Sequence, residues 1–150
     1  MTDTRNADVV CIRRLIPASA DRVFNAWIKP DLLARWMSPT GSAIAEVEPW
    51  PGGRLAITMV GGGRRIEHTG TYREIVPGRR LVFTWQSPFT GPSPSVVTVE
   101  LAERDGQTEL TLTHEALPTD AVESHEGGWG QILDRLAATL ADAAVREVPT

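Results

Sequence analysis

Residues 95–116 read SVVTVELAERDGQTELTLTHEA, and this stretch decides the fold. Two alternating runs, Ser95–Glu103 and Thr108–Ala116, flank the turn Arg104-Asp105-Gly106-Gln107. An Asp-Gly pair between alternating runs is a strong hairpin signal, because both turn residues must accept a positive φ. Alternation puts Val97, Val99 and Leu101 on one face, and Leu110, Leu112 and His114 on the matching face of the partner. The hairpin therefore has one apolar side that something must cover.

Upstream the same grammar repeats. Ala43–Glu48, Arg54–Val60, Ile66–Val76 and Leu81–Gln86 read as strands. They are separated by Pro49–Gly53, Gly61-Gly62-Gly63 and Pro77-Gly78, which are turn sequences. Ser87–Ser95 carries Pro88, Gly91, Pro92 and Pro94 and reads as a loop. Residues 9–16 form a further β-rich run that ends at Pro17, with Ile12 and Ile16 sharing a face with Arg14. Between this run and the next strand, Ser19 is the N-cap of a short helix with Val23, Phe24, Trp27 and Ile28 at helical spacing. A second short helix, Asp31–Met37, follows Pro30 and shows Leu32, Leu33 and Trp36 on its apolar face.

Downstream, Trp129, Ile132, Leu133, Leu136 and Leu140 make one helical stripe. The helix is expected to start near Gly127-Gly128-Trp129-Gly130, and the last residues, Val148–Thr150, to fray. Helices segregated from a run of antiparallel strands give an α+β class. The expectation is one domain: a curved antiparallel sheet of about seven strands wrapped around the long C-terminal helix, with two short helices after the first strand.

The 150 residues suit a single domain, with 41% hydrophobic and 23% charged residues. A net charge of −4 with scattered arginines argues against a nucleic-acid partner. No apolar run is long enough to cross a bilayer, which takes about 20 residues. Cys11 is the only cysteine, and Met1–Asp8 is polar with no signal-peptide core, so a cytoplasmic location is expected. His68, His114 and His125 lack ligand-type spacing, so neither a metal nor another cofactor is anticipated. The Gly61–Arg65 stretch lacks the strand–loop–helix context of a phosphate-binding loop, and no nucleophile motif is present.

The polar intruders on the apolar face carry what functional signal there is. His114 is either a histidine bonded within the core or a polar anchor for a ligand. Arg14 either pairs with a carboxylate such as Glu74 or Glu115, or holds a ligand's acidic group. Three glycines near Trp129 thin the helix above an apolar sheet, which is where a small-molecule cavity would open.

Four segments resemble a known family. They are Arg14 to Trp27 with Pro17-Ala18-Ser19-Ala20-Asp21-Arg22-Val23-Phe24; Leu33-Ala34-Arg35-Trp36-Met37-Ser38-Pro39; Gly52-Gly53-Arg54-Leu55 with Gly70–Pro77 and Arg80–Trp85; and Thr113-His114-Glu115 with Gly128-Trp129. The pattern resembles the SRPBCC superfamily of START and birch-pollen-allergen type helix-grip folds, and within it the homologues of the activator of the heat-shock protein 90 ATPase. Met37 stands where a second tryptophan often follows Trp36. The resemblance implies a helix-grip fold and binding of a small hydrophobic or amphipathic molecule between sheet and helix. The anticipated lining is Arg14, Trp36, Tyr72, Phe83, Trp85, Val99, Leu112, His114, Trp129 and Leu133. Two alternatives accompany it. One is a cyclase or lyase acting on an aromatic or polyketide-like substrate, with His114, Arg14 and Tyr72 as candidate groups. The other is a chaperone-accessory or stress-response interaction protein, or a homodimer, using an exposed surface around Phe89.

Overall fold

A computed structural model describes residues 9–39 and 41–146, with side chains to residue 141. The polar segment Met1–Asp8 and the end at Val148–Thr150 lie outside the described residues. Seven strands form one antiparallel sheet: β1 (Val10–Ile16), β2 (Ser42–Val47), β3 (Arg54–Gly61), β4 (Arg64–Val76), β5 (Arg80–Trp85), β6 (Ser95–Arg104) and β7 (Gln107–Glu115). Their order across the sheet is β1-β7-β6-β5-β4-β3-β2. The first strand thus closes against the last, and the rest follow as a meander.

The Asp-Gly hairpin pairs Arg104 with Gln107, and both turn residues take positive φ, 56° at Asp105 and 79° at Gly106. That fixes the register in which Val97 faces His114 and Val99 faces Leu112. The apolar face expected from alternation is buried along most of this hairpin: Val97, Val99, Leu110, Leu112 and His114 are at most 1% exposed, while Leu101, near the turn, is partly buried. The long strand β4 breaks register at a bulge between Tyr72 and Glu74. A bulge sharpens local twist and lets a long strand bend with the curl of the sheet.

Helix α1 (Ala20–Ile28) is capped by the Ser19 hydroxyl, which accepts from the Arg22 N–H at 3.3 Å. Helix α2 (Pro30–Leu33) is shorter than the Asp31–Met37 span the sequence suggests. After Leu33 the backbone tightens, with the Trp36 N–H donating to the Leu33 carbonyl. This turn sinks Trp36 against Trp27, ring centroids 4.6 Å apart, and lets its indole N–H reach the Ala26 carbonyl at 3.3 Å. Burial of a tryptophan outweighs a turn of regular helix here.

Helix α3 (Val122–Arg146) also departs from expectation: it begins five residues before the glycines, after a 3-10 turn at Thr119–Ala121. The glycines lie inside the helix. The Ala121 carbonyl accepts from the Ser124 hydroxyl at 3.1 Å and from His125 Nδ1 at 2.8 Å, which ties down the first turn. Each interior glycine costs roughly 1 kcal/mol against alanine, whereas burying a large apolar side chain contributes about 1.5–3 kcal/mol. Trp129, Ile132, Leu133, Leu136 and Leu140 are all buried, so the packed stripe carries the helix through its weak turn. Arg135 clamps α3 to the loop after α2, donating to the carbonyls of Ser38, Arg35 and Gly41. This clamp sets the loop beside the first half of α3, next to the site described below.

Candidate functional site

At the β3–β4 side of the sheet the helix and the strands part. The hairpin tip, with Gly62 and Gly63 at φ 58° and 77°, lets β3 and β4 run out as an arm, with β2 paired along the outer edge of β3. Met59, Ile66 and His68 on this arm face Ser124, His125, Gly128, Trp129 and Ile132 of α3 across a gap. The helical residues recur at spacings of one, three and four, which places them on one helix face. Trp85 at the end of β5 forms the floor, Ser38 and Pro39 one side, and Phe89 the rim. The cavity measures about 380 Å³. That lies within the roughly 300–1,000 Å³ range of small-molecule sites.

Phe89 is held at this rim by its own loop. The Ser87 hydroxyl accepts from the Phe89 N–H at 3.1 Å, and the buried Thr90 hydroxyl accepts from the Ser87 N–H at 2.9 Å. Phe89 is thereby left 53% exposed with its ring against the cavity.

Beneath the cavity a closed hydrogen-bond circuit fixes both tryptophans. The Trp129 indole N–H donates to His114 Nδ1 at 2.9 Å. An indole nitrogen only donates, so Nδ1 carries the lone pair and the proton of neutral His114 sits on Nε2. Nε2 then donates to the Ser95 hydroxyl at 2.7 Å, and Ser95 donates to the Trp85 carbonyl. The circuit closes where the Trp85 and Trp129 rings meet, with centroids 5.5 Å apart. Burial, reinforced by His125 and His68, lowers the His114 pKa to about 3, so the ring is neutral at physiological pH. His114 acts as a brace for the cavity floor.

His68 is different. It is 7% exposed and stacks on Trp85, centroids 4.7 Å apart and planes 26° from parallel. Its Nδ1 is buried without a hydrogen-bond partner among the described residues. Leaving such an atom unpaired costs about 1–3 kcal/mol. Burial, with His125 adding to it, lowers its pKa to about 4 against the opposing backbone groups of Ile66 and Ile57.

Of the residues anticipated from sequence, Trp85 and Trp129 line the cavity. Tyr72, Phe83, Val99, Leu112 and Leu133 lie in the packed core at 1% exposure or less, and Trp36 is buried under α1. Burial pushes the Tyr72 phenol pKa up, and its hydroxyl has no hydrogen-bond partner among the described residues. His114 sits behind Trp129. Arg14 pairs with Asp134 of α3 at 2.9 Å rather than with Glu74 or Glu115, and Glu74 is instead bound to Arg80 at 3.0 Å. Arg14 crosses the helix where Gly130 leaves room: a Cβ there would lie 3.4 Å from the guanidinium. The lining residues His68 and Ile66 were not anticipated. They share a face of β4 with Tyr72, so an inward histidine two residues from an isoleucine was the available signal.

A curved sheet gripping a long helix, with an apolar cavity where the two separate, defines a helix-grip protein. The family described as Activator of Hsp90 ATPase homolog 1-like protein matches residues 17–141, nearly the whole chain, and the chain belongs to that family. A search of curated proteins finds no match. Among solved structures, protein CV1439 from Chromobacterium violaceum is 28% identical with a TM-score of 0.77, covering 87% of this chain and 96% of its own. CalU16 from Micromonospora echinospora is 25% identical with a TM-score of 0.69, covering 92% and 79%. PFC0360w, an Hsp90 activator from Plasmodium falciparum, is 25% identical with a TM-score of 0.62, covering 74% of each chain. No helix among the described residues is long and apolar enough to cross a membrane.

Proposed function

We propose that this protein binds a small, largely apolar molecule in the cavity between the β3–β4 arm and α3. The observation that carries the reading is the cavity of about 380 Å³, walled by Met59, Ile66, Trp85, Phe89, Trp129 and Ile132. Family membership agrees with it, since helix-grip proteins commonly hold hydrophobic ligands. The cyclase or lyase reading loses its three candidate groups from this space, because Arg14, Tyr72 and His114 do not line it. The exposed Phe89 is accounted for by its place at the rim, so it does not by itself call for a protein partner.

The test is a cavity-blocking substitution. A Cβ on Gly128 would stand 3.9 Å from Pro39, in ordinary contact, and a longer side chain would extend into the gap. Gly128→Leu should abolish one-to-one binding of an uncharged fluorescent probe such as phenylnaphthylamine. Thermal stability should hold or rise, because leucine favours helix over glycine by about 0.8 kcal/mol. A stable Gly128→Leu protein that binds the probe as well as the parent would overturn the reading.

A further inference from the structure

The cavity's formal charge is of one sign. Among the described residues its lining contains no aspartate or glutamate, and the one charged residue is Arg64. Arg64 is exposed at the start of β4 and makes no ion pair among the described residues. Other arginines near the helix are occupied: Arg14 by Asp134, and Arg135 by three carbonyls. His68 lies four residues along the same strand and on the same face. Its Nδ1 is sealed in the wall, whereas Nε2 is not sealed in this way. A buried N–H tolerates lack of a partner less well than a lone pair does, which favours the proton on Nε2. The β4 wall then presents two donors, a guanidinium and an imidazole N–H, and no anionic acceptor to satisfy them. Across from them stand the Ser124 hydroxyl and His125 on α3 and Ser38 on the adjoining loop, and the rest of the wall is mostly rings and aliphatic side chains.

We infer that the cavity selects amphiphiles carrying one acidic group, received on the β4 wall between Arg64 and His68, with the apolar body lying over Trp85 and Trp129. This rests on the cavity being a binding site, and names the ligand class it takes. A carboxylate or sulfonate supplies several acceptor lone pairs, the chemistry that two donors require. An amine would meet no carboxylate in the lining and would face the Arg64 charge, and a molecule without an acceptor would leave both β4 donors unused.

Anilinonaphthalene sulfonate and its uncharged parent phenylnaphthylamine share one ring system and differ only by the acid, so they form the test. At pH 7.5 and low salt the sulfonate should bind the wild-type chain more tightly, in a saturable one-to-one manner. Arg64→Gln should weaken the sulfonate about 5-fold and leave the parent probe unchanged. Added salt should act in the same direction on the wild type and have little effect on the variant. His68→Phe, which keeps the stack on Trp85 but removes the nitrogens, should weaken the sulfonate about 3-fold without weakening the parent. Arg65→Gln, a neighbour outside the lining, is the control and should change neither. If phenylnaphthylamine binds equally well, or Arg64→Gln leaves the ratio of the two affinities intact, the acidic-ligand assignment is overturned while the cavity remains a binding site. If neither probe binds, the cavity reading itself fails. Arg64 lies on an exposed hairpin, so its variant will fold even if His68→Phe does not.

Discussion

The two halves of the sheet obey the same alternation and reach opposite outcomes. Across β5, β6, β7 and β1, inward residues such as Phe83, Val99, Leu112 and Ile12 meet α1 or α3 and are at most 8% exposed. Along β2 no residue is buried, and on β3 burial stops after Ile57. Helix α3 packs along β1 and so stands away from the β3–β4 arm. The difference teaches that alternation fixes which way a side chain points, while the path of the helix decides whether anything stands opposite it. Where something does, the result is core; where nothing does, the result is a cavity.

The largest expected effect tests that division directly. Leu112→Ala in the closed half should lower unfolding free energy by about 2–5 kcal/mol, the range for large apolar residues removed from a packed core. Met59→Ala on the cavity wall should cost under about 1 kcal/mol, because one side of that residue already lacks contacts to lose. Urea denaturation of both variants makes the comparison, and similar losses would show that the open half is as well packed as the closed one.

Acid should reach both halves through their histidines. His114 in the closed half and His68 in the open half have folded pKa values of about 3 and about 4, below the ordinary 6.5. Below that value the unfolded chain takes up protons that the folded chain refuses. Their contribution is therefore complete above pH 6.5 and lost as pH falls through the window down to about 3–4. Linkage puts the loss at about 2 kcal/mol per histidine between pH 7 and pH 5, as an order of magnitude. Imidazole resonances of both residues in the folded protein should stay in the neutral position to pH 5. Titration of either near 6.5 would contradict the burial described above.

How much of this was legible beforehand follows the same line. The sheet, the Asp-Gly register and the apolar stripe of α3 are local patterns, so they could be read from Val97, Leu112, Trp129 and their neighbours. Tyr72, Phe83 and Leu133 are legible as inward too, but an inward direction does not tell a core position from a cavity wall. Which inward residues line a void depends on the separation of α3 from the β3–β4 arm, a long-range distance that no local pattern encodes. The partner of Arg14 escaped for a related reason: Asp134 lies 120 positions away. His68 could have been flagged by alternation on β4, though not its lack of a partner.

The brace beneath the cavity is built from the closed half and α3 yet holds the cavity floor, and a smaller substitution examines it. Trp129→Phe keeps an aromatic ring against Trp85 and removes only the indole donor and some bulk. His114 Nδ1 would lose its partner in a fully buried position, at a cost of about 1–3 kcal/mol. The neutral ring would also be free to move its proton from Nε2 to Nδ1, loosening the bond to Ser95. Calorimetry should show the lower stability, and nitrogen shifts of His114 should show the mixed tautomer. An unchanged single tautomer would mean that Ser95 alone fixes the ring.

The smallest effect separates the glycines that opened the question of the helix. A Cβ on Gly127 would meet nothing within 4 Å, whereas one on Gly130 would lie 3.4 Å from the Arg14 guanidinium. Gly127→Ala should therefore gain nearly the full helix-propensity difference, about 0.8–1 kcal/mol, with a rise in Tm of about 2–4 °C. Gly130→Ala should gain less, because Arg14 must shift and its contact with Asp134 weakens. That contact is largely exposed, so its own worth is small, and the expected ordering is Gly127→Ala above Gly130→Ala with both near or above the parent. A drop in stability for Gly127→Ala would mean that this turn of α3 needs glycine for a reason other than space.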